Sequence, residues 1–237
     1  DYLTVLGNGF DLACGEKTSV YDFVQYELNK HNNSFSHYRW NFIVFLLRII
    51  FDDSNNAEEL IDLLDLKQSD ASDWMDFEKI IHHLVLNEKV FNVFEDIYEH
   101  PEKYRRQNTT YLKNLISMYF RNFRQWHGKQ FNYGESYVDF LENVVSEFEQ
   151  QLHSYLVNID VDKTIYAHKQ LLLEFLRGGY EKTSVMDFNY TRLPYDMFKH
   201  PVYYIHGNAS VCCIVGIDPY FKNPGSNEDR KSGSAGM

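Results

Sequence analysis

Tyr2-Leu3-Thr4-Val5-Leu6-Gly7-Asn8-Gly9-Phe10-Asp11 is the stretch on which the fold turns. Its first five residues are an apolar, partly β-branched run that reads as a buried strand. Gly7 and Gly9, one residue apart at the strand's end, let the backbone turn sharply and approach a ligand closely. Amide groups left free in such a turn suit a phosphate or pyrophosphate. The full dinucleotide fingerprint asks for a third glycine three residues on, and Leu12 stands there instead. Taken alone, the pair of glycines reads first as a tight strand-to-helix turn and only second as a nucleotide site.

From there to the last third of the chain, glycine and proline almost vanish. Between Glu16 and Arg177 they occur only at Pro101, Gly128 and Gly134, which leaves room for long helices. Apolar spacing predicts helices over residues 20–30, 39–51 (apolar nearly all round and central) and 58–66. Another starts at Asp73-Trp74-Met75-Asp76 and its pattern resumes at Val90. Pro101 opens the next, whose apolar face is Tyr111, Leu112, Leu115, Ile116, Tyr119, Phe120 and Phe123. The cleanest runs from Tyr137 to Leu156, and a last one from about Lys163 to Arg177 stops at Gly178-Gly179. The period then changes to strands at Thr183–Phe188, Val202–Ile205 and Val211–Val215. The expected fold is α/β: a small, mostly parallel Rossmann-like sheet with a large helical insertion between the first strand and the C-terminal strands. The expected organisation is one domain over 1–222, an insertion over about 24–178, and a polar Gly/Ser-rich tail, 223–237, that is disordered or vector-derived.

Composition narrows the function. A net charge of -11 argues against a general nucleic-acid binder. Three cysteines, two of them adjacent at Cys212-Cys213, fit neither a disulfide framework nor a zinc ribbon. No metal is expected. The most apolar run, Phe42 to Phe51, contains Arg48 and is too short to span a bilayer. The chain therefore reads as a cytoplasmic protein with reduced thiols and no membrane association. Tyr and Phe, 18 each, are abundant enough for an aromatic core and an oligomer interface.

In open α/β sheets ligands bind beyond the C-terminal ends of the strands. The residues just after the four expected strands are Gly7-Asn8-Gly9, Asn189-Tyr190-Thr191, His206-Gly207-Asn208 and Gly216-Ile217-Asp218. His206 follows an apolar run and precedes a glycine, so a general base or hydrogen-bond partner belongs there. Asn189 carries an amide that can orient a hydroxyl or water, or close an Asx turn. Asp11 could bond a ribose hydroxyl or cap the next helical turn. Trp74 and Glu78 share a helix face, as a packing anchor with a salt bridge or as support for the pocket. His82-His83 point apart on a helix and complete no metal site.

Leu6-Gly7-Asn8-Gly9-Phe10-Asp11-Leu12-Ala13, Thr18, Tyr21-Asp22-Phe23, Trp74-Met75-Asp76-Phe77-Glu78, Asp187-Phe188-Asn189-Tyr190-Thr191, Ile205-His206-Gly207 and Val215-Gly216-Ile217-Asp218 together resemble the AbiH family of bacterial abortive-infection proteins. The motifs follow the family order, with Cys14 in place of its usual His. The family's sequence often continues beyond the last motif. A more distant resemblance, in Gly-x-Gly, an Asn at a strand end and His-Gly, is to sirtuin-like NAD-binding domains. That resemblance implies catalytic roles for Asn189 and His206. It implies a pyrophosphate site at the Gly7-Asn8-Gly9 turn and closure over the nicotinamide by Asp22 and Phe23; Phe10, Asp11, Thr18, Tyr190, Gly207, Gly216 and Asp218 are further candidate NAD contacts. Thr191 replaces the sirtuin Asp, and the sirtuin zinc ribbon is absent, so hydrolysis of NAD is expected rather than deacylation. The implied role is phage defence, with a phage-derived trigger. Two alternatives stand beside it: a non-catalytic nucleotide sensor, and a HEPN-type ribonuclease using Arg121 and His127 on one helix.

Overall fold

The computed structural model describes residues 2–6, 11, 17–30, 40–66, 77–105, 109–127, 136–158, 183–187, 202–204, 207–208 and 212–213. The chain divides into two compact units: Asp1–Phe23 with Glu149–Met237, and Val24–Phe148. Among the described residues the helices are α1 (Val20–Lys30), α2 (Phe42–Asp52), α3 (Ser54–Leu63), α4 (Phe77–Leu86), α5 (Glu88–Glu99), α6 (Tyr111–His127) and α7 (Tyr137–Asn158). The strands are β1 (Tyr2–Leu6), β2 (Thr183–Asp187), β3 (Val202–Tyr204), β4 (Gly207–Asn208) and β5 (Cys212–Cys213). The expected helix over 163–177 and the helix start at 73–76 lie outside the described residues.

The first unit holds the sheet. β1, β2 and β3 pair in parallel in that order, with Tyr2 opposite Thr183, Leu6 opposite Asp187, and Asp187 opposite Tyr204. Side chains alternate across the pleat. Leu6, Val185 and Asp187 are buried on one face, while Leu3, Val5, Ser184 and Tyr203 are exposed on the other. The third C-terminal run departs from expectation. β5 does not join the parallel sheet; it pairs antiparallel with β4, Gly207 opposite Cys213 and Asn208 opposite Cys212. Chain length explains this, because only residues 209–211 separate β4 from β5. A parallel connection needs about a dozen residues or more, whereas an antiparallel return needs two.

The second unit is helical and aromatic. α2 is apolar on every side, and Phe42 at its start packs its ring against Phe45, Phe94, Tyr119, Phe120 and Phe140 at centroid distances of 4.9–6.1 Å. Such ring pairs add to simple area burial. Asn41 organises this helix. Its Oδ1 accepts from Ile43 N at 2.9 Å as the N-cap, and its Nδ2 donates to Val144 O at 2.7 Å and to Glu147 Oε2 at 3.4 Å. Tyr119 Oη donates to Trp40 O at 2.7 Å, which ties α6 to the residue before the cap. Arg48 stacks its guanidinium 4.5 Å over the Trp40 ring, which accommodates a charge on an otherwise apolar helix.

Two further details differ from the sequence reading. Pro101 opens a single 3-10 turn, Pro101–Arg105, and the long helix begins only at Tyr111. Asp96 on α5 holds that turn back by accepting from Lys103 and Tyr104. Tyr111, expected on the apolar face of α6, is 70% exposed. The buried stripe is Leu112, Ile116, Tyr119, Phe120 and Phe123. Tyr111 is in phase with the half-buried Leu115 and the exposed Met118 instead.

Burial raises the pKa of Glu147, the Asn41 hydrogen bond lowers it, and the nearby charge of Glu27 raises it further, for a net upward shift. The folded state therefore binds this proton more tightly than the unfolded chain. Stability from this group is full at acid pH and is lost as pH rises from the ordinary glutamate value to the raised one. Glu147→Gln should raise the melting temperature at neutral pH, leave it nearly unchanged near pH 4, and flatten its pH dependence between. Equal effects at both pH values would contradict this account.

Asn41→Ala should cost about 1–3 kcal/mol in urea unfolding, from the lost cap and the buried hydrogen bond to Val144. Tyr137→Phe should be neutral within about 0.5 kcal/mol or stabilising. The Tyr137 hydroxyl is buried, makes no hydrogen bond among the described residues, and is pushed well up in pKa by that burial. A large loss on removing it would show that the hydroxyl has a partner.

Candidate functional site

The parallel register brings three strand ends into line. Leu6 stands beside Asp187, and Asp187 beside Tyr204. The chain runs directly from these residues into Gly7-Asn8-Gly9, Phe188-Asn189-Tyr190 and Ile205-His206. Gly7, Asn8, Gly9, Phe10, Asn189, Tyr190 and His206 themselves lie outside the described residues, as do Trp74, Gly216 and Asp218. β5 belongs to the separate antiparallel pair, and the expected fourth strand end, Gly216-Ile217-Asp218, lies outside the described residues.

Two carboxylates of the first unit are fully buried. Asp187 closes β2, and Asp11 lies five residues after the end of β1; both are 0% exposed. Asp11 was expected either at a ribose or at a helix cap; it is completely buried. Asp187 was not among the expected site residues. Its signal in the sequence was an acidic residue ending the run Thr183-Ser184-Val185-Met186, where strand burial favours an apolar side chain.

The segment after the glycine-rich turn is held by specific contacts. Ser19 and Asp22 form a reciprocal cap at the start of α1: Asp22 N donates to Ser19 Oγ at 3.0 Å, and Ser19 Oγ donates to Asp22 Oδ2 at 2.5 Å. Phe23 is buried and packs on Tyr155 of α7 at 5.5 Å between centroids. The Tyr155 hydroxyl donates to Lys17 O at 2.5 Å, next to the half-buried Thr18. In this structure Asp22 is thus a capping residue and Phe23 a core residue. Gly207 begins β4 and pairs with Cys213.

The remaining candidates belong to the helical unit. Glu78 is half-buried in the first turn of α4. Arg121 is half-buried on α6, and His127 is that helix's last residue. Among the described residues, no group of three or more His, Cys, Asp and Glu could hold a metal ion, and no helix is long and apolar enough to cross a membrane.

The profile for bacteriophage abortive infection AbiH matches residues 3–229, from within β1 through every described strand. The chain belongs to the AbiH family. No curated protein and no solved structure matches this AbiH chain. The matched span runs across both the strands and the helical unit.

Tyr155→Phe removes the hydroxyl bond to Lys17 O but keeps the ring against Phe23. It should lower global stability by about 1 kcal/mol and speed amide exchange in residues 17–23 more than in α2. Uniform acceleration across both segments would show that the bond supports the whole fold rather than this segment.

Proposed function

We propose that this AbiH protein acts in phage defence by binding NAD in the cytoplasm and hydrolysing it to nicotinamide and ADP-ribose. The observation that carries the reading is the in-register ending of β1, β2 and β3 at Leu6, Asp187 and Tyr204. The three motifs that resemble sirtuin-like domains are the residues that follow those ends in the sequence. Family membership supports the defence role. In this reading the pyrophosphate is bound by backbone amides at Gly7, Asn8 and Gly9.

In the proposed reaction the bond between ribose C1′ and the nicotinamide nitrogen breaks. Its electron pair leaves with the base, which departs neutral. Water adds to C1′ and gives up a proton to His206. Asn189 orients that water or the ribose. The reaction needs no metal and no oxidant.

The test is NAD consumption and nicotinamide release by purified protein, with and without phage lysate, for the parent, His206→Ala and Asn189→Ala. The parent should turn over, and each variant should lose activity by about 10²-fold or more with an unchanged melting temperature. Absence of turnover in the parent under both conditions sinks the hydrolase reading. NAD binding without turnover would favour a sensor, and absence of binding as well would turn attention to Arg121 and His127.

A further inference from the structure

α3 ends in a Schellman turn: Leu66 N donates to Ile61 O at 3.0 Å, and Asp65 N donates to Asp62 O at 3.1 Å. The left-handed position of such a turn usually holds glycine, which has no Cβ to clash. Here it holds Asp65, with φ of 56°. Aspartate tolerates this region best when its side chain bonds locally, but the Asp65 carboxylate reaches a residue 22 positions away. Its Oδ2 accepts from Asn87 Nδ2 at 2.9 Å.

Asn87 is the N-cap of α5, and its Oδ1 accepts from Val90 N at 3.3 Å. The same Nδ2 lies 3.3 Å from His83 Nδ1, in the last turn of α4. The amide cannot be turned round. Its oxygen is needed by a backbone N–H, and its nitrogen faces a carboxylate that only accepts. The second N–H of Nδ2 is thus directed at His83 Nδ1, which must offer a lone pair. The proton of the neutral ring then sits on Nε2.

We infer that Asp65 is a positioning residue: its carboxylate, held at a glycine position, orients Asn87, and Asn87 in turn holds His83 as the Nε2–H tautomer and fastens α4 to the α3–α5 corner. The helix so fastened is the one that carries Glu78 in its first turn. The steric cost at Asp65 is local, while its return is the fixed orientation of side chains on two other helices.

A double-mutant cycle tests this on the full chain. Asp65→Gly relieves the backbone, so by backbone alone it should raise the melting temperature by roughly 2–4 °C. The inference requires the opposite in the wild-type background, a drop of that order. It requires a rise in the Asn87→Ala background, where the carboxylate has nothing to orient. Equal shifts in the two backgrounds, of either sign, overturn the coupling. Long-range 1H–15N spectra of histidine-labelled protein give a second readout. His83 should appear as the Nε2–H tautomer in the parent and as a mixture in Asn87→Ala. An Nδ1–H tautomer in the parent, or identical spectra for both proteins, overturns the assignment.

Discussion

The parallel pairing of β1 with β2 is the constraint on which the rest depends. It joins residues 2–6 to residues 183–187, so everything between must leave the sheet at one strand and return at its neighbour in the same direction. A parallel pair cannot be closed by a short turn. The intervening chain meets this demand by building a second hydrophobic core of its own, around Phe42, Phe120 and Phe140. The abundance of aromatic residues follows from that second core: broad flat rings fill the space between helices that share few small residues.

Much of the fold was legible because burial imposes a period. α1, α2 and the long α7 could be bounded to within a few residues, since their apolar positions recur along one face or, for α2, all round. Where the sequence misled, a local competitor had won. Tyr111 is apolar enough to be read into the stripe of α6, yet it falls in phase with Met118 and faces water. Pro101 signals a helix start, but Asp96 gathers Lys103 and Tyr104 into a 3-10 turn first. α3 begins at Ser54, ahead of its expected start at Glu58, because the polar residues Asn55 and Asn56 hide the helical period there. The fate of β5 could have been read from loop length alone, which outweighs β propensity when residues 209–211 are all that connect two strands.

The candidate site was legible to a different depth. Glycines and polar residues after apolar runs pointed to strand ends, but no spacing says which ends lie side by side. Only the register puts Leu6, Asp187 and Tyr204 in one row. Asp187 shows the converse. Its burial depends on which face of the pleat it occupies, a property of pairing that a single strand does not reveal. Asp22 and Phe23 belong to a motif, and in this structure they make a cap and a core contact. A residue can be held in a family pattern by the scaffold of a site as well as by its chemistry.

The helical unit is one unbroken stretch, Val24–Phe148, whereas the sheet unit draws on both ends of the chain. During synthesis the two cannot mature together. The helices can collapse on neighbours already outside the ribosome, while β1 waits for a partner encoded some 180 residues later. An unfinished chain therefore carries a folded helical body and an unpaired first strand. The edge that gathers the three strand ends comes into being only after residue 204 has emerged. Until then an AbiH chain can hold its helical core without its candidate site.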